Sequence, residues 1–133
     1  MIKKILVFLI VAVSFFSVTA QSHYNSTKCT SYSYNCSSHD YQFYEACDLQ
    51  TSFIINENDS SIDVLTLTSK NTYCIAGKEI NYEENEILYA VIFNSEFKYV
   101  ITFDLKESTI KISSKSYLHA PILIYNISKF WEE

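Results

Sequence analysis

At 133 residues and 15.4 kDa the chain is long enough for one small domain and too short for two. Its ten basic residues are all lysine and face fifteen acids, a net charge of −5, which argues against a nucleic-acid partner and leaves no arginine fork for bidentate anion recognition. Apolar residues make up 48% and aromatics 16%, enough for a packed core, whereas the single glycine, Gly77, excludes phosphate-cradling loops, dinucleotide turns and nucleophile elbows.

Residues 1–20 read as a secretory signal peptide. Lys3 and Lys4 form a basic start, Ile5 to Val18 is apolar apart from Ser14 and Ser17, and Val18-Thr19-Ala20 supplies small residues for cleavage. The apolar run is shorter than the ~20 residues a membrane-spanning helix needs, so the mature chain is expected to carry no membrane span. Cleavage after Ala20 removes two of the ten lysines and leaves −7 on a secreted chain, periplasmic or extracellular, that begins at Gln21.

An oxidising compartment gives the four cysteines, Cys29, Cys36, Cys47 and Cys74, a reading as two disulfides. The gaps between them are six, ten and twenty-six residues, unlike the closely paired ligands of a structural zinc site, so no metal or other cofactor is expected. Of the three connectivities we favour Cys47 with Cys74, fastening the first strand to the sheet, and Cys29 with Cys36 across a short separation.

Residues 21–45 are rich in Ser, Tyr and Asn and almost free of aliphatics. That composition predicts a flexible, irregular N-terminal arm held by its cysteines. Tyr32, Tyr34, Tyr41 and Tyr44 fall in this arm, where no core claims them, and are a candidate surface for a ligand or partner. From residue 46 onward short β-branched and aromatic runs alternate with polar turns, the pattern of strands.

The strands are expected at 51–56, 61–68, 71–76, 79–82, 86–93, 97–104, 109–113 and 121–127, with a bulge near Val64 and Leu65 and a helical turn at the C-terminus. Connectors of two to five residues permit only antiparallel neighbours. The prediction is therefore all-β: an antiparallel up-and-down meander of seven to eight strands over 46–133, curled into a half-barrel or small barrel, with a two-sheet sandwich as the alternative. In the pair 86–93 and 97–104, a two-residue turn would set Leu88, Ala90 and Ile92 on the core face with Phe97, Tyr99, Ile101 and Phe103. The strand 86–93 is apolar on both faces and reads as central and covered on both sides.

No constellation for chemistry stands out. His23, His39 and His119 read as solvated loop histidines, and the acids Glu79, Glu83, Glu84 and Glu86 as a hairpin tip. The leading functional expectation is a secreted, non-enzymatic binding or interaction module with a lipocalin-like interior cavity. Its partner would be a small apolar ligand, a glycan or a protein. The alternative is a structural, envelope-associated protein without a small ligand. A secreted hydrolase would require two or more of His39, His119, Cys47 and the Glu79–Glu86 acids to converge in one cleft.

Overall fold

A computed structural model describes residues 21–133, so the expected leader at 1–20 lies outside the described residues. Among the described residues nine antiparallel strands follow in chain order: β1 (Gln21–Asn35), β2 (Asp40–Asn56), β3 (Ser61–Leu65), β4 (Lys70–Asn81), β5 (Glu86–Phe93), β6 (Phe97–Asp104), β7 (Thr109–Ser114), β8 (Ile122–Asn126) and β9 (Lys129–Glu132). Neighbours pair in sequence from β1 to β8, and β8 then pairs with β1 over Cys29–Tyr32, which closes an eight-stranded barrel. The ninth strand lies on the other half of the same β1 edge, from Ser22↔Glu132 to Asn25↔Lys129. The small-barrel expectation therefore holds, and the expected helical turn at the C-terminus is strand β9.

The expected irregular arm is corrected most. Residues 21–45 form β1 and the first part of β2, the longest hairpin of the barrel, paired from Gln21↔Asn56 to Asn35↔Asp40. A strand in the middle of a sheet satisfies its backbone through its neighbours and needs few aliphatics of its own. Here Tyr24 supplies the apolar contact, and buried Ser26 sets its hydroxyl 3.0 Å from both Lys28 O and Asn126 Oδ1. The runs at 71–76 and 79–82 are one strand, β4, because Gly77 is extended and beside a register shift rather than in a turn. The strand β3 ends at Leu65 without a bulge, leaving Leu67 in solvent.

Closure sorts the side chains by parity. Phe53, Ile62, Ile101, Phe103 and Ile110 are fully buried inside the barrel. The Phe103 ring meets Tyr24 at 4.7 Å, Tyr89 at 5.7 Å and Phe53 at 6.3 Å between centroids, three rings brought from β1, β5 and β2. The pairing Phe93↔Phe97 leaves a three-residue loop, Asn94-Ser95-Glu96, so Tyr89 and Val91, not Leu88, Ala90 and Ile92, share the inner face with Ile101 and Phe103. The left-handed positions that such a loop needs are taken by Asn94 (φ 53°) and Ser95 (φ 58°), and Asn tolerates that region without glycine. The opposite face of β5 is the outside of the barrel rather than a second covered face, and Ala90 is exposed there.

Candidate functional site

Among the described residues the barrel interior is a packed cluster of side chains. Tyr24, Phe53, Tyr89, Phe103 and Tyr125 fill it together with the aliphatic side chains, as small barrels commonly do. Tyr89 carries its hydroxyl to the barrel's end, where it donates to Glu57 Oε1 at 3.1 Å, and Lys78 Nζ binds the same oxygen at 3.0 Å. Burial, then the Glu57 charge and hydrogen bond, push the Tyr89 phenol well above its ordinary value. Burial also raises Tyr125, aided by the neighbouring Cys29.

Both strands of the β1–β2 hairpin outrun the rest of the barrel, and their cross-strand partners place aromatic rings opposite one another. Tyr32 faces Phe43 edge-on at 6.3 Å, and Tyr34 faces Tyr41 edge-on at 5.4 Å. The Tyr34 ring also stacks flat on His119 of the β7–β8 loop at 3.5 Å, and Tyr41 donates its hydroxyl to Ala120 O at 3.1 Å. The hairpin is thus seated on that loop, and a cleft of about 520 Å³ runs beside it, lined by Tyr41, Tyr117, Leu118 and His119 among others.

Of the four candidate tyrosines, the structure brings Tyr32, Tyr34 and Tyr41 into this one ledge. Tyr44 stands apart at the register shift opposite Ser31 and Tyr32, and it is 67% exposed. Sequence reasoning missed Phe43, which is 62% exposed, and the contribution of His119. The signal for Phe43 was the period-two spacing of Tyr32 and Tyr34 against Tyr41 and Phe43 about a common turn, whereas nothing in the sequence pointed to His119.

A second property of the hairpin lies in its backbone. Only Ser52–Asn56 of β2 pairs with β3, so Asp40–Thr51 bonds to β1 on one side and, among the described residues, to no strand on the other. Since alternate residues of an antiparallel strand aim both backbone groups at one neighbour, about six N–H and C=O pairs face outward along this edge. It carries Phe43, Tyr44 and Leu49 as exposed apolar side chains, with Asp40, Glu45 and Asp48 as its charges. The β4 edge beyond Cys74 is also unpaired by β3, but it holds a register shift at Ile75/Gly77 and the charged Lys78 and Glu79, features that blunt an edge.

The groups named for the hydrolytic alternative are divided between the two ends of the barrel. His39 lies in the β1–β2 turn and His119 beside it at the same end, while Glu79, Glu83, Glu84 and Glu86 surround the β4–β5 turn at the other. His23, unlike the other two histidines, is no loop residue: it lies in β1, stacked on Trp131 at 4.9 Å, with Nε2 3.4 Å from a Glu133 carboxylate oxygen. Among the described residues no group of three or more His, Cys, Asp or Glu side chains is arranged to hold a metal ion.

No two of the four cysteines are bonded among the described residues, and the register sets the favoured pairs apart. Cys74 pairs with Ser61, and Ser61 with Asn56, two strands over and nine residues along β2 from Cys47, roughly 30 Å of sheet surface. Cys29 and Cys36 are seven residues apart on an extended chain, about 20 Å. Neither separation approaches the ~7 Å limit for a disulfide. The chain matches no protein-family model, no curated protein and no solved structure, so its reading rests on this geometry.

Proposed function

We propose that the chain is a secreted, non-enzymatic interaction module that takes an extended, basic polypeptide segment as an added strand on the free edge of β2. The observation that carries the reading is the one-sided pairing of Asp40–Thr51. Strand addition draws affinity from main-chain hydrogen bonds and selectivity from side chains at alternate positions. Phe43 and Tyr44 supply contact area beside the edge, and the three acids favour lysine or arginine in the partner. The same acids set like charge against like charge when two copies meet edge to edge, which disfavours a self-paired dimer.

The ledge supports the edge rather than competing with it. Its rings are spent on each other and on His119, so Tyr34 and Tyr41 hold the hairpin against the β7–β8 loop instead of offering flat faces to a sugar. A rigid edge loses less entropy when a strand adds to it.

The test is an amide chemical-shift titration of the ¹⁵N-labelled mature chain with a ten-residue peptide alternating Lys and Val. The expected result is saturable shifts confined to Asp40–Thr51 and the Tyr34–His119 contact, weakened by Phe43→Ala and absent with a Glu–Val peptide. No shift at millimolar peptide, or shifts centred on the outer face at Leu88, Ala90 and Val100, would overturn the reading.

A further inference from the structure

We propose that Cys29 and Cys47 form a cross-strand disulfide that clamps the β1–β2 hairpin where it leaves the barrel, with Cys36 and Cys74 remaining as thiols. The two residues are direct antiparallel partners. The pairing around them runs without a slip from Lys28↔Asp48 through Thr30↔Ala46 to Ser31↔Glu45. Directly opposed residues have Cα atoms about 4.5–5.5 Å apart and side chains on one face. A disulfide requires Cα atoms ~4.4–6.8 Å apart, so the backbone already meets the requirement without moving.

The surroundings separate the roles of the two thiols. Cys29 is buried against Tyr125, its partner on β8, and burial raises its pKa, while Cys47 stands exposed beside the unpaired edge. Cys47 is therefore the thiol that an oxidant reaches. Its thiolate attacks the S–S bond of a small-molecule disulfide such as oxidised glutathione, forming a mixed disulfide and releasing one glutathione thiol. The Cys29 thiolate then attacks the Cys47 sulfur, forming the Cys29–Cys47 bond and releasing the second. Two cysteine thiols are oxidised, one glutathione disulfide is reduced, and the two protons end on the two glutathione thiols.

Register gives the other cysteines no such partner. Cys74 lies opposite Ser61 on one side and Ile92 on the other, and Cys36 sits in the β1–β2 turn beyond the last strand pair. The clamp falls four residues before Thr51, the last edge residue before β3 begins to pair, so it fixes the hairpin at its base. This inference does not depend on the binding reading, since the bond forms whether or not a strand adds to the edge.

The experiment is thiol mapping of the wild-type mature chain after equilibration with a mixture of reduced and oxidised glutathione. Alkylation without reductant, followed by digestion, should give a peptide pair linked through Cys29 and Cys47, with Cys36 and Cys74 accessible to alkylation or carrying glutathione. Cys47→Ser should leave Cys29 unlinked to any other cysteine of the chain and protected from alkylation until the protein is unfolded. Free Cys29 and Cys47 in the equilibrated wild type, or a bond joining either of them to Cys36 or Cys74, would overturn the assignment.

Discussion

Replacing Phe103 by alanine tests the packing of the barrel most severely. The side chain is fully buried on β6 and touches rings from β1, β2 and β5. A buried phenylalanine removes on the order of 150–200 Å² from water, worth about 4–5 kcal/mol at ~25 cal/mol per Å². Phe→Ala substitutions in cores cost about 3–5 kcal/mol. The upper half of that range applies because Tyr24, Phe53 and Tyr89 are held by three separate strands of a closed wall and cannot collapse together into the space. With a urea slope of about 2 kcal/mol per M, the unfolding midpoint should fall by roughly 2 M. Lys98→Ala, on the exposed outer face of the same strand, should stay within about 0.5 kcal/mol. Urea denaturation followed by tyrosine and tryptophan fluorescence measures both. Equal losses at Phe103 and Lys98, or a larger loss at Leu88→Ala than at Val91→Ala, would refute the assignment of faces.

Other consequences follow from the same structure. Ser95→Gly and Ser60→Gly replace residues held at φ of 58° and 49°, so each should stabilise by about 0.5–1 kcal/mol, read as a raised urea midpoint. A Cβ added at Gly77 would lie 3.8 Å from the Ala90 Cβ, an ordinary contact, and Gly77→Ala should be neutral or stabilise by up to about 1 kcal/mol, whereas a turn glycine would be lost at a cost. Tyr24, Tyr73, Tyr89 and Tyr125 all have their phenols raised by burial. Raised folded-state values mean that the unfolded chain ionises first, so this contribution is fully present below pH ~10 and lost as pH climbs above it. Absorbance at alkaline pH should therefore show a late set of tyrosines that ionise together with unfolding.

The sequence was most legible where β-branched and aromatic residues were densest. The bounds of β5 and β6 match those expected, because Glu86–Phe93 and Phe97–Asp104 are dense in β-branched and aromatic residues and flanked by Asn and Asp turns. Their mutual parity was not legible, since it depends on whether Asn94 and Ser95 accept positive φ, and no glycine marked the loop. The hairpin of β1 and β2 was hidden for a different reason. A strand bonded on both sides gains its order from the sheet, so the polar stretch from Gln21 to Asn35 gave no compositional sign of its place in the wall. The opposition of Cys29 and Cys47 was lost with it: with residues 21–45 taken as an arm, Cys29 had no register, and only the β1–β2 pairing sets it opposite Cys47. The tyrosine ledge was half visible, because composition singled out Tyr32, Tyr34 and Tyr41 but not the loop, carrying His119, on which they rest.

The measurement closest to the centre of the account is the set of cross-strand Hα and amide NOEs from residues 29–32 in the protein spanning residues 21–133. The ledge, the free edge and the disulfide all require β1 to sit in the barrel wall between β2 and β8. Thr30 should then show NOEs to the Ala46 region on one side and to the Ile124 region on the other, with slowly exchanging amides between. Random-coil shifts and unprotected amides across 21–35, with no contact from Thr30 to Ile124, would contradict the barrel's closure and everything built on it.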